Sequence, residues 1–305
     1  MNAAPSPRGE ASYTAPSIAA LLKSKGVHLS CEIFPPKEFS RIEEAKEIAG
    51  DIAALGPAYI SVTYGAGGST PQFTRELSKS VQASGIPALS HLTCINDTKS
   101  KVGAVLEALR REGITNVLAL RGDIPPGVDF PGEDHFHYAS ELTQAIRDQG
   151  GFCVGGACYP EGHPEAPSRD ADLDFLRRKV DAGAEFLTTQ MFFDNAILYQ
   201  FLYRALQKGI GIPIVAGIMP VVNARQIKRI TALSGAGLPP RFAAIVDRFG
   251  GNTECMRQAG IAYATEQIID LIANGVPNIH LYTMNRPEIA RAIFGNLGSI
   301  LRHPA

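Results

Sequence analysis

From Val27 onward the chain alternates between two kinds of segment. Short runs of β-branched and aliphatic residues are each followed by a longer stretch in which apolar residues return every three or four positions. Gly, Pro, Asn or Asp separates most of them. The short runs "HLSCEIF" (28–34), "AYISVTY" (58–64), "IPALSHLTC" (86–94), "TNVLAL" (115–120), "FCVGGACY" (152–159), "EFLTTQMF" (185–192), "IPIVAGIMP" (212–220) and "PNIHLYTMN" (277–285) predict eight strands. Helices are predicted over 41–55, 71–83, 98–112, 137–149, 171–183, 195–208, 223–234 and 252–275, with "RPEIARAIF" (286–294) closing the chain. The Phe and Tyr residues of "FFDNAILYQFLYRAL" recur at helical spacing and read as core.

Strict alternation of strand and helix favours a parallel sheet, because parallel neighbours need long crossover connections. Eight such units over about 270 residues match a single-domain (β/α)₈ barrel. An open doubly wound sheet competes, but it would carry a G-x-G-x-x-G turn after its first strand. Here the first strand runs into "FPPKEFS", and "TYGAGGST" has its glycines at the wrong spacing. Residues 1–12, small and proline-rich, read as a loose tail and 13–305 as the barrel. No internal repeat is evident.

Composition narrows the function. The chain has 305 residues, 45% hydrophobic and 19% charged, with a formal net charge of −1. Its Lys and Arg are scattered, which excludes a nucleic-acid footprint. No apolar run approaches the roughly 18 residues of a membrane span, and the N-terminus lacks a secretory apolar core. The five cysteines include no C-x-x-C pair and are odd in number, so reduced thiols in a cytoplasmic protein are expected.

A barrel of this kind places its chemistry at the C-terminal ends of its strands. There the sequence sets Glu32, Thr63 with Tyr64, His91 with Thr93, Arg121 to Asp123, Tyr159 with His163, Gln190 and Arg286. A carboxylate at the rim of an apolar barrel loses solvation, which raises its pKa and makes Glu32 a candidate general acid; a rim ion pair with Lys37 or Arg286 is the plain alternative. His91, a lone histidine, reads first as a hydrogen-bonded core histidine, and Arg178 and Lys179 as solvated charges. The histidines and carboxylates have no local zinc spacing, so no metal is expected. "RGD" follows a buried strand and is rejected as an adhesion tripeptide. The glycine-rich turns "TYGAGGST" and "LRGDIPPG" could offer backbone N–H groups to a phosphate.

With these residues placed, the chain resembles the methylenetetrahydrofolate reductase family over residues 25–300, through "CEIFPPK", "SVTYGAGGST", "HLTC", "LALRGDIPP", "YPEGHPEA", "DLDFLRRKVDAGAEFLTTQMFFD", "GIMPVVNARQI" and "HLYTMNR" in order. The resemblance implies a flavin-holding (β/α)₈ barrel that reduces 5,10-methylenetetrahydrofolate to 5-methyltetrahydrofolate with NADH or NADPH, by two hydride transfers in turn. It implies Glu32 as the proton donor that opens the imidazolidine ring, and Asp123 as a carboxylate serving both flavin and folate. Flavin contacts carried over by motif are Thr63, Tyr64, Ala66, His91, Arg121, Gly122, Asp123, Ala139, Tyr159, His163, Asp172, Arg178 and Lys179. Substrate contacts are Asp123, Gln190, Gln226 and Arg286.

The chain departs from the family pattern at Phe175, where some bacterial members have asparagine, and at Ile230, where some have phenylalanine. FMN therefore stays open beside FAD. The sequence ends at Ala305, leaving no room for the regulatory domain of eukaryotic members, so no inhibition by adenosylmethionine is expected. Bacterial relatives suggest a homo-oligomer, and methionine biosynthesis is the implied setting. The rival readings are another flavin barrel acting on a different pterin, and a barrel subunit that mainly binds within a larger one-carbon assembly.

Overall fold

The structure, a computed structural model, describes residues 16–64, 71–95, 97–124, 132–225, 227, 230–231 and 235–303. Eight strands form: β1 (His28–Ile33), β2 (Ile60–Val62), β3 (Ala88–Thr93), β4 (Asn116–Leu120), β5 (Cys153–Cys158), β6 (Phe186–Thr189), β7 (Ile214–Ile218) and β8 (Asn278–Tyr282). Each lies parallel to the next and β8 pairs with β1, closing the expected (β/α)₈ barrel. Around it lie α2 (Ile42–Ala53), α3 (Pro71–Ala83), α4 (Lys99–Arg111), α5 (Ala139–Gln149), α6 (Arg169–Asp181), α7 (Asn195–Gln207), α9 (Thr253–Ala273) and α10 (Pro287–Arg302). The expected tail over 1–12 lies outside the described residues, as does much of the expected 223–234 helix.

Alternation within each strand sorts its side chains. In β1, Leu29, Cys31 and Ile33 join Ala45, Ala49 and Ile52 of α2 in the apolar layer between strands and helices. Each fully buried aliphatic side chain there contributes roughly 1.5–3 kcal/mol. Ser30 and Glu32 point the other way, where they reach His280 and Ser61 across the barrel wall. Lower in the barrel, the ring of Phe186 fills space that a β-carbon at Gly155 would contest at 2.3 Å.

Among the described residues are also the α-helices α1 (Ile18–Leu22) and α8 (Pro240–Phe249). The first is too short for a period, whereas the second carries Phe242, Ile245, Val246 and Phe249 at helical spacing, a pattern passed over in the reading of the sequence. Helix α1 packs its apolar residues with Tyr59, Leu89, Leu118 and Phe186. Its turns are tied to the strands' N-terminal ends: Ile18 N–H donates to Asn116 Oδ1 (3.0 Å) and Asn278 Nδ2 to the Leu22 carbonyl (3.2 Å). The barrel is thereby plugged at that end. In α7, Phe201 is buried as expected, but Tyr203 is 64% exposed, because the helix turns that face outward.

Candidate active site

Glu32 is the second-last residue of β1, in register with Ser61 of β2 and Tyr282 of β8. Its Oε2 accepts from Ser61 Oγ at 3.4 Å and lies 3.7 Å from His91 Nε2 and 3.8 Å from His280 Nε2. Neither alternative partner, Lys37 or Arg286, pairs with it in the described structure. His280 is locked on both ring nitrogens: Nδ1 meets Ser30 Oγ at 2.7 Å and Nε2 meets Ser61 Oγ at 3.1 Å. Tyr59 stacks on its ring.

The expectation that burial would raise the Glu32 carboxyl is only half met. Burial does push it up, but the proximity and charge of His280, the charge of His91 and the Ser61 hydroxyl together bring it below the ordinary value. The barrel rim is polar where the sequence read it as apolar. His91 is also lowered, here by burial, to about 4, so the ring is neutral at neutral pH, and its Nε2 has no hydrogen-bond partner.

A second cluster lies across β4 to α6. Arg121, just past β4, pairs with Glu165. His163 Nδ1 accepts from Glu165 N–H, and the His163 ring packs edge-on to Tyr159 at 4.6 Å. Lys179 is no solvated charge: its stem runs over Gly156, where a β-carbon would approach it to 2.7 Å, and its Nζ donates to the Ala157 carbonyl at 2.6 Å. Burial lowers its pKa, and burial likewise raises Asp172 and pushes Tyr159 up to about 12. Arg178 is exposed, its guanidinium over the Phe175 ring.

The remaining residues are spread around the same mouth. Thr63 Oγ1 is buried without a partner, while Tyr64 donates to buried Asp97 at 2.8 Å. Gly122 has φ 88° and packs on Thr93, Asp123 is exposed beside it, and Ala139 begins α5. Gln190 follows β6, its Oε1 accepting from Met191 N–H. Arg286 stands at the start of α10 beside a pocket lined by Met219, Ile230 and Tyr282. Among the described residues, Glu32 meets Ser61, His91 and His280, and none of Asp123, Gln190 or Arg286 hydrogen-bonds or ion-pairs with it. Ala66 and Gln226 lie outside the described residues.

Sequence reading missed Ser30, Ser61 and His280, whose only hint is polarity at alternate positions of buried strands, and Thr283, just past β8. Glu165 and Asp97 had no local signature. Among the described residues no group of three or more His, Cys, Asp or Glu could hold a metal ion, and no helix is long and apolar enough to cross a membrane.

The class is a closed parallel (β/α)₈ barrel with ionisable groups gathered at the C-terminal ends of its strands. The family model described as methylenetetrahydrofolate reductase matches residues 17–298. The chain is 39% identical to a maize (Zea mays) methylenetetrahydrofolate reductase (NADH) over 285 residues, 89% of this chain and 48% of the maize protein. It is 35% identical to the 5,10-methylenetetrahydrofolate reductase of Escherichia coli over 273 residues, 89% of this chain and 91% of that one. The chain thus spans about half the length of the plant relatives it matches and most of the bacterial one. A solved Clostridium thermocellum protein, described as uncharacterized and as binding two copies of 5-methyl-5,6,7,8-tetrahydrofolic acid, shares the fold: TM-score 0.64 at 15% identity, over 94% of this chain and 99% of that one. The chain belongs to the methylenetetrahydrofolate reductase family.

Proposed function

We propose that this protein reduces 5,10-methylenetetrahydrofolate to 5-methyltetrahydrofolate with NADH or NADPH, through a flavin held at the barrel mouth. The observation that carries the reading is Glu32, set inside the barrel against Ser61, His91 and His280. The mouth suits a flavin: Thr63 Oγ1 and His91 Nε2 are buried donors or acceptors without a protein partner. Arg121, His163, Arg178 and Lys179 would meet its phosphate and ribose groups, with Thr63, Tyr64 and His91 nearer the ring. The flavin supplies the hydride chemistry when bound.

The protein's own task is the proton. Opening the imidazolidine ring needs a proton on the departing nitrogen, and Glu32 delivers it. Its environment lowers its own hold on that proton, yet provides a second place to keep it. Ser30 gives its single hydrogen to the Ile279 carbonyl at 3.0 Å, so it accepts from His280 Nδ1, which leaves His280 Nε2 facing Ser61. With Glu32 protonated, Glu32 donates to Ser61 and Ser61 to His280. With Glu32 ionised, both hydrogen bonds reverse and the proton rests on His280. One proton passes between the two ends with no movement of heavy atoms.

Arg286 and Gln190 hold the folate, and Asp123 steadies the cation formed on ring opening. We place the protein in the cytoplasm, a reading supported by its five unpaired cysteines, and take it as a homo-oligomer on its resemblance to the bacterial members of the family. The test is an anaerobic visible spectrum of the purified protein. Bleaching of flavin bands by NADH or NADPH and their return on adding methylenetetrahydrofolate is the expected result. A flavin that bleaches and is not reoxidised by the folate refutes the reading.

A further inference from the structure

The turn after β8 is built in an uncommon conformation. Met284 and Asn285 have φ of 53° and 55°, left-handed for two successive residues that carry a β-carbon. Among the described residues every other positive φ belongs to glycine. Such backbone is strained and persists only where its surroundings over-determine it.

The Asn285 amide is what determines it. Its Oδ1 accepts from Phe34 N–H at 2.9 Å and its Nδ2 donates to the Phe34 carbonyl at 2.8 Å. One side chain thereby replaces the strand neighbour that Phe34 lacks, since the β1–β8 ladder stops at Glu32 opposite Tyr282. Pro35 and Pro36 bring no N–H to continue it. Thr283, almost fully buried, completes the clasp: its Oγ1 donates to the Glu32 carbonyl at 2.6 Å and accepts Asn285 N–H at 3.2 Å. Arg286 comes next in the chain, its N–H on the Thr283 carbonyl at 3.1 Å.

We propose that Asn285 is a positioning residue for the proton donor: through Phe34, and with Thr283, it fixes the main chain at the Glu32 carbonyl and just beyond it, and so holds the Glu32 carboxyl in place. The inference rests on the reading of Glu32 as acid. The carboxyl so held faces His91 from β3, His280 and Tyr282 from β8, Ser61 from β2 and Tyr59 just before β2. Without the clasp Glu32 can leave Ser61 and His280, and its affinity for a proton returns toward that of an ordinary glutamate.

Asn285→Gly tests this, because glycine takes the left-handed turn without strain and so folds, yet has no amide to offer. Asn285→Asp is the second variant: it keeps the acceptor for Phe34 N–H but sets an oxygen against the Phe34 carbonyl. Flavin reduction by the nicotinamide donor and reoxidation by methylenetetrahydrofolate are followed separately against pH, and the exchange rate of the Phe34 amide hydrogen is measured in parallel. Both variants are expected to reduce flavin at the wild-type rate. Reoxidation should slow on the order of 10²-fold. In Asn285→Gly its alkaline limb should move to higher pH, with Phe34 exchanging faster. A glycine variant that reoxidises at the wild-type rate with an unmoved limb overturns the inference, and so does equal loss of both half-reactions. Wild-type protein that binds and bleaches flavin but ignores the folate overturns the proposed function itself, a result distinct from either.

Discussion

Arg121 and Glu165 meet in a two-pronged ion pair, with Nη1 and Nη2 each 2.6 Å from a carboxylate oxygen. The pair ties the end of β4 to the loop before α6. The hydrogen bond from Arg121 is the main reason the Glu165 carboxyl sits below its ordinary value of 4.5. Glu165 is 62% exposed, so water screens the attraction and the pair is worth at most about 1 kcal/mol.

Glu165→Gln should therefore cost little stability at neutral pH. A depressed carboxyl contributes above its ordinary value and loses that contribution as pH falls through the folded value. The difference between variant and wild type should be full at pH 7 and should vanish in acid. Denaturant unfolding at both pH values checks this; a difference that grows in acid would contradict it.

Glu32→Gln separates the two halves of the chemistry. Glutamine keeps the size of the side chain but cannot deliver a proton. Folate-dependent reoxidation should fall by about 10²–10⁴-fold, the usual worth of a positioned acid, while flavin reduction by the nicotinamide donor is retained. Stopped-flow traces of each half-reaction decide it, and equal loss in both would make Glu32 structural.

Lys179→Met removes a charge whose burial disfavours it. A depressed lysine means that the unfolded chain binds the extra proton, so wild-type stability rises with pH in the window below 10.5. The variant should flatten that slope and melt about 2–4 °C higher near neutrality, in line with about 1 kcal/mol. Its flavin affinity should drop on the order of tenfold, the loss of one charge-assisted hydrogen bond. Thermal melts across pH and flavin titration test the two effects together; a less stable variant with unchanged flavin affinity would be the opposite result.

Gly217→Ala should disturb the mouth from inside the wall. A β-carbon there would lie 2.5 Å from the Thr189 carbonyl and 2.7 Å from the Tyr282 ring, and the same carbonyl accepts the Tyr282 hydroxyl at 2.6 Å. The contact is partly backbone and cannot swing away, so a cost of about 1–3 kcal/mol is expected. Chemical denaturation measures it; an unchanged midpoint would mean that β6 and β7 part freely.

Strand number, order and the barrel follow from local patterning. Periods of two and of three to four residues are properties of neighbouring side chains, and the alternation of short strand with long crossover admits few closed arrangements. Glu32 was legible for a similar reason: a carboxylate within an apolar run stands out wherever the strand later packs. Helix α1, five residues long, is too short to leave such a trace, while the trace of α8, Phe242, Ile245, Val246 and Phe249 at helical spacing, was present and passed over. What tertiary structure alone decided is which polar groups meet. Ser30 and His280 are 250 positions apart and become neighbours only when β8 closes on β1. That closure reverses the direction expected for the Glu32 carboxyl, because a pKa answers to partners as well as to burial. The packing of α6 on β5 in turn sets Lys179, a surface charge by its local pattern, inward over Gly156. Local sequence sets what a residue can offer, and distant strands, brought to hydrogen-bonding distance, set what it is offered to.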